Sequence, residues 1–494
     1  MKTYKELIGG FGGKSEILNM QLRYESGEDG ALAWLGQTQQ RIAAIDQAGI
    51  KLNAVLEWNL DAEGIASALD HEYKRTERRS PLHGIPVLLK DNIDTGDSMH
   101  TSAGSLALAK RYASQDAFIV TKLRAAGAVI CGKTNMTEFA NFMTDNMPNG
   151  YSSRGGQVKH VWKADGDPSG SSTGSAVAVA AGYVPLAIGT ETCGSIISPA
   201  AAAGIVGLKP TVGWVSRKGI IPIAPSQDVA GPMARTVADC ALAFSIISGY
   251  DPADPVTGSC IDRQIPKPED FRKYSNGLIG VRLGVFMLDD EDKPVKYPAF
   301  HNALHLLESL GAEIIPFSPP KGAGEHMGTV LLHEFHPAMD AALMHSTGFV
   351  HTMSDIAAFN EAHADECLRY GQTNISKALS LPKPMLTPEY FEARETARNA
   401  LRALQKSFSE LSLDAVVSLY GLEAYPVTGC PALTLPVGYD EEEGIPVPIV
   451  INSLPFTEGS ILGIGMALET ALNLSLHPTL ITKGDNCNLG KTKG

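Results

Sequence analysis

Ser195 sits in the stretch "GTETCGSIISPA" (189–200), after an apolar run and before a proline. That setting predicts a strand turning into a helix at the serine. At such a corner, backbone N–H groups and a helix N-terminus face the hydroxyl and stabilise a developing oxyanion. A serine hydroxyl attacks a carbonyl only when a base takes its proton. No histidine lies near this stretch, and one brought from a distance remains open. Lys90 is the other candidate base. It closes "GIPVLLKDN" (84–92), at the end of an apolar run. Burial there disfavours the ammonium and lowers its pKa. A neutral amine can then accept a proton, directly or through an intervening hydroxyl. "SGSSTGS" (169–175) supplies such hydroxyls, Ser171 among them. Taken singly, each piece also has a plain reading. Lys90 is then a snorkelling strand end, Ser171 a loop hydroxyl and Ser195 a helix cap, since serine and glycine are common turn residues.

Two other motifs carry less. "GGFGGKS" (9–15) suggests a phosphate loop, but that loop needs glycine at position 8, where Ile8 stands. "GSSTGSA" lacks the lysine such a loop uses. In "LLHEFHP", His333 and His336 are three apart and miss the HExxH spacing that faces a metal from one helix. Ordinary polar contacts are expected there, with no cofactor and no catalytic metal.

The elements that must position these groups are legible in outline. Ile85 to Leu89 reads as a buried strand ending at Lys90. "DAFIVTKLRAAGAVICGKTN" gives a helix, a stop at Gly127 and the strand "AVICG". Residues 150–174 read as a long Gly/Ser-rich loop of functional type. A helix from Gly174 to Gly182, the strand "VPLAIG", the Ser195 turn and a helix opening at Pro199 follow. A helix is also expected within 28–48. Residues 255 to 420 are more polar and irregular, with a helical pattern in "TPEYFEARETARNALRALQKSFSEL". "AVVSLY", "CPALTLPVG" and "PVPIVIN" return to strand composition before a last helix, so the end of the chain is expected to complete the sheet begun at its start. Helix–strand alternation marks a mostly parallel α/β sheet.

Bulk properties fit a globular enzyme. The 494 residues are 44% hydrophobic and 19% charged, ordinary for a chain with ample core. Length alone suggests roughly three domains, although large α/β enzymes often keep such a chain on one sheet. The net charge of −13 argues against a nucleic-acid surface. Seven scattered cysteines without a CxxC pair read as reduced thiols. The N-terminus lacks the apolar core of a secretory signal, and Ser175 to Gly189 is too short to span a bilayer. A cytoplasmic protein without membrane contact is expected.

Five motifs occur in the order seen in the amidase signature family: "GIPVLLKDN", "GAVICGKTNMTEFA", "SGSSTGSAVAVAAG", "GTETCGSIISPAAAAGIVGLKPTVG" and "SQDVAGPMARTVAD". The chain resembles that family strongly over about 85–250 and more weakly at "CPALTLPVGYDEEEGIPV". Through "LHGIPVLLKDNID", "TSAGSLAL", "NGYSSRGGQ" and "VGWVSRKGIIPIAPSQDVAGPMA" it looks most like peptide amidases, which hydrolyse the C-terminal carboxamide of peptides. The resemblance implies one α/β domain over 1–494, a mixed central β-sheet covered by helices on both faces. The catalytic core would lie at about 85–250 and a substrate-shaping region at about 255–420.

It also implies a Ser–cis-Ser–Lys triad, with Ser195 as nucleophile, Ser171 as the bridging serine after a cis peptide bond, and Lys90 as base. Backbone N–H groups of Thr192, Cys193, Gly194 and Ser195 would hold the oxyanion. Ammonia would leave, and water would hydrolyse the acyl-enzyme. The implied partner is a small-molecule or peptide amide, with the protein a monomer or homodimer.

Three residues depart from the family pattern. Thr173 replaces a usual glycine, and Ile197 replaces an arginine that peptide amidases also lack. Cys193 stands where peptide amidases usually carry aspartate. A small buried filler is the expectation for Cys193, a cysteine nucleophile the rival. Two other functions share the scaffold: the catalytic component of a tRNA-dependent amidotransferase, and a binding protein without turnover.

Overall fold

The computed structural model describes residues 14–480 apart from 268–269, 271–273, 275, 289–292 and 345. The glycines of "GGFGG" therefore lie outside the described residues. Ser15 of that motif caps the Glu16–Glu25 helix, accepting from the Leu18 N–H.

Among the described residues, eleven strands form one sheet. In chain order its strands are β1 (Val55–Trp58), β2 (Pro86–Lys90), β3 (Val129–Thr134), β6 (Leu186–Glu191), β7 (Val206–Lys209), β8 (Val229–Ala234), β9 (Arg282–Val285), β10 (Glu313–Pro316), β11 (Ala415–Ser418), β12 (Ala432–Asp440) and β13 (Ile445–Asn452). A separate hairpin joins β4 (Tyr151–Ser152) to β5 (Gly156–Gln157). The spatial order in the main sheet is β1-β3-β2-β6-β8-β7-β12-β13-β11-β9-β10. Strands β3, β2 and β6 are parallel, as are β11, β9 and β10, and antiparallel pairs join the two groups. The sheet is mixed rather than mostly parallel.

Alternation along the strands separates two cores, because successive side chains point to opposite faces. Val87, Leu89, Ile130, Leu186 and Ile188 join one core with the helices Phe118–Ala125, Val237–Ile247, Pro298–Ser309 and Glu458–Leu472. Leu88, Val129, Cys131 and Ala187 join the other, with the helices Ala31–Arg41, Ala62–Tyr73, Thr173–Ala180 and Ile197–Ala203. Helices thus cover both faces. A third cluster packs Phe335, Met339, Met353 and Ile375 from the later helices over Met136, Phe139 and Ile223, in loops that leave the sheet.

Several sequence expectations shift. The 28–48 helix is α-helical only over Ala31–Arg41 and continues as a π turn, Ile42–Gln47. The 150–174 loop contains the β4–β5 hairpin. The polar 255–420 region supplies β9 and β10 to the sheet edge, besides its helices. Chain ends meet as expected, since β12 pairs with β7. No helix among the described residues is long and apolar enough to cross a membrane.

Candidate active site

The carboxyl ends of parallel strands are where open α/β sheets place ligands. Here β3, β2 and β6 end side by side at Thr134, Lys90 and Glu191. Strand β2 is buried along its whole length, so its last side chain has no route to water. Lys90 Nζ donates to Ser171 Oγ at 2.8 Å and to the Thr190 carbonyl at 3.0 Å. Burial pushes the Lys90 ammonium down to about 7, against the opposing pull of the Glu191 and Asp228 carboxylates.

Ser171 is buried, and the Gly170–Ser171 peptide is cis. Its carbonyl accepts from the Thr137 N–H at 3.1 Å. Ser172 ties the serine loop to β6, donating from Oγ to the Thr190 carbonyl at 3.0 Å and accepting from the Thr190 N–H at 3.2 Å. Its own N–H reaches the Ser195 carbonyl at 3.1 Å, so the Ser171 and Ser195 segments are stitched together. This close approach requires Gly189, where an added Cβ would come within 2.8 Å of Ser172 Oγ.

The Ser195 turn is held by Glu191. Its carboxylate accepts from the Ile196 N–H at 2.8 Å and the Ile197 N–H at 3.0 Å. Those bonds satisfy N–H groups that a helix start leaves orphaned. They start the helix at Ile197 rather than at the expected Pro199, which sits harmlessly in the first turn, where its missing N–H costs little. Gly194 adopts φ +77°, a conformation that glycine reaches without strain. Among the described residues none accepts a hydrogen bond from the N–H groups of Thr192, Cys193, Gly194 or Ser195. Thr192 is fixed through its side chain, donating to Asp228 Oδ1 at 2.5 Å, and its carbonyl accepts from Gln227 Nε2 at 3.3 Å.

Glu191 and Asp228 are the positioning residues that sequence reasoning missed. Both lie inside quoted motifs, "GTET" and "SQDVAG". A carboxylate shortly before a helix start was the available signal for Glu191.

Cys193 is not the buried filler expected. It is half-buried, whereas the other described cysteines are fully buried. It lines a cavity of about 680 Å³ together with Gly194, Ile197, Lys209, Tyr425 and Asn452. Burial, with Glu191 and Glu423 adding to it, pushes the thiol up to about 12. The attacking form of cysteine is the thiolate, and this thiol keeps its proton. His333 stacks on Tyr390 and His336 pairs with Asp340 at 3.1 Å, so the two histidines serve separate structural contacts. Among the described residues no three His, Cys, Asp or Glu side chains cluster as metal ligands.

A family model described as Amidase matches residues 36–426. The chain belongs to the amidase family. This amidase is similar to the peptide amidase of Stenotrophomonas maltophilia, with 38% identity and a TM-score of 0.89 over 95% of this chain and 99% of that one. It is similar to an amidase family protein from Bacillus anthracis at 34% identity and a TM-score of 0.88, covering 96% and 93% of the two chains. A glutamyl-tRNA(Gln) amidotransferase subunit of Acidothermus cellulolyticus is 34% identical over 472 residues, covering 87% of this chain and 89% of that one. The amidase fold and amide C–N hydrolysis are thus established for the family to which the chain belongs.

Proposed function

We propose that this amidase hydrolyses the C-terminal carboxamide of a peptide, or a similar small amide, through an acyl-enzyme on Ser195. The observation that carries the reading is the contact of Lys90 Nζ with Ser171 Oγ at 2.8 Å, made by a lysine whose pKa burial lowers to about 7. A neutral Lys90 amine accepts the Ser171 proton as Ser171 takes that of Ser195. Ser195 Oγ bonds to the amide carbon, and the carbonyl oxygen gains charge facing the N–H groups of Thr192, Cys193, Gly194 and Ser195, which have no partner among the described residues. Such preorganised donors favour the transition state over the ground state. The proton then returns through Ser171 to the leaving nitrogen, ammonia departs, and water repeats the sequence on the ester.

Similarity to the Stenotrophomonas maltophilia enzyme supports the peptide-amide class. The 34% identity to the amidotransferase chain supports a second reading, in which the ammonia passes to a partner. Ammonia release from peptide amides, glutamine, asparagine, aliphatic amides and aryl amides separates the two, with Ser195→Ala as the blank. Preferential turnover of peptide amides by the isolated protein is expected. Glutaminase activity that requires co-purifying proteins would favour the second reading. Silence toward every amide, with no adduct from a serine-reactive phosphonate, would favour a binding protein.

A further inference from the structure

The register of three adjacent strands puts Lys209, Ala432 and Asn452 in one row, because Ala432 pairs with Lys209 on β7 and with Asn452 on β13. Directly paired residues share a sheet face. With strands about 4.8 Å apart, the small Ala432 leaves a trough between the two longer side chains. All three line the 680 Å³ cavity that begins at Cys193 and Gly194, beside Ser195. Tyr425 lines it as well.

These polar groups are buried but incompletely used. Tyr425 Oη and Asn452 Oδ1 have no hydrogen-bond partner among the described residues. Asn452 Nδ2 has only a long contact, 3.5 Å, to the Pro431 carbonyl. Lys209 Nζ donates to the Cys430 carbonyl at 2.7 Å and the Pro210 carbonyl at 3.2 Å, and as an ammonium it keeps one further N–H to give. Buried polar groups without partners are costly, and a cavity that retains them is shaped for a ligand that supplies the partners.

We propose that this row is the subsite for a peptide unit on the acyl side of the scissile amide. The unit's carbonyl accepts from Lys209 and Tyr425, and its N–H donates to Asn452 Oδ1. A neutral unit fits better than a free carboxylate. Among the described residues, the cavity lining carries Asp167, Glu191, Glu423 and Glu443 against Lys163 and Lys209, a net negative field that disfavours a further anion. This inference rests on the peptide-amide reading and sharpens it, since an amino-acid amide without a second peptide unit leaves the row unfilled.

The test compares kcat/KM for four amides of one length: a dipeptide amide, its –CH2–CH2– isostere, its ester analogue, and an analogue carrying a free carboxylate in place of the unit. The dipeptide amide is expected to exceed the isostere by about tenfold or more, as sites built to hydrogen-bond reject analogues that cannot. Tyr425→Phe and Asn452→Ala are each expected to shrink that ratio several-fold, and Asn452→Ala to erase the dipeptide's advantage over the ester. Tyr425→Phe should keep the wild-type Tm, because the hydroxyl it removes has no partner among the described residues. An unchanged ratio in both variants would overturn the subsite, as would a preference for the carboxylate analogue. Turnover of amides without any peptide-unit preference would overturn the subsite alone. No turnover of any of them by the wild-type protein would overturn the peptide-amide reading together with it.

Discussion

Lys90 ends a strand buried on both faces, and an ammonium there lacks the water that would solvate it. Its pKa accordingly falls from 10.5 to about 7. The proposed base is the neutral amine, so kcat/KM should fall as pH drops through about 7 and level off above it. A profile flat from pH 5 to 9 would remove Lys90 from the role. The same shift acts on stability. Between about 7 and 10.5 the unfolded chain holds the Lys90 proton that the folded chain has lost. The contribution of this site to stability therefore rises with pH across that window and is least favourable below it. Lys90→Met should abolish ammonia release, a loss of about 10²-fold or more for a general base. It should also melt no lower than wild type at pH 7, with any advantage shrinking toward pH 10. Thermal denaturation of both proteins at the two pH values checks this.

At the scale of the element, the Ser195 turn depends on Glu191 at the end of β6. Removing that carboxylate orphans the N–H groups of Ile196 and Ile197. Glu191→Ala should cost about 1–2 kcal/mol of stability and lower kcat by about tenfold or more as the oxyanion donors lose their aim. Glu191→Gln, which keeps an acceptor oxygen, should recover much of both. Equal activity in the alanine variant would detach the turn from catalysis. This element also marks how far the sequence could be read. Lys90 and Ser195 stood out as candidates because each sits in a local pattern, an apolar run and a strand-to-helix corner, whereas Ser171 was singled out of its serine loop only by the family resemblance. The extension of β6 through Thr190 and Glu191 was not legible, because polar residues read as loop until β8 pairs with them. Tyr425 and Asn452 gave no signal, since only the long-range register of β7, β12 and β13 brings them to the cavity. Cys193 read as filler because cysteine chemistry is set by surroundings that a sequence does not display.

For the whole molecule, the decisive feature is that β12 and β13, from the end of the chain, lie in the middle of the sheet. They separate β7 from β11, so neither half of the sheet can complete its ladder without them. Apolar runs marked the inner strands, and the family resemblance implied the two covered faces. The edge formed by β9 and β10 escaped notice because β10 is short and only partly buried, without the apolar run that announces an inner strand. One sheet joining both ends predicts a single cooperative unfolding transition, the behaviour of one domain. Urea curves followed by far-UV circular dichroism and by tryptophan fluorescence should coincide. Two separated transitions would divide the chain into independent domains.

The most direct test of the central claim is to find the atom that becomes acylated. Reaction with a fluorophosphonate, followed by peptide mapping in a mass spectrometer, is expected to give one adduct, on Ser195. It should be absent from Ser195→Ala and form far more slowly in Lys90→Met. An adduct on Cys193 or another residue, or amide turnover that survives Ser195→Ala, would contradict the account.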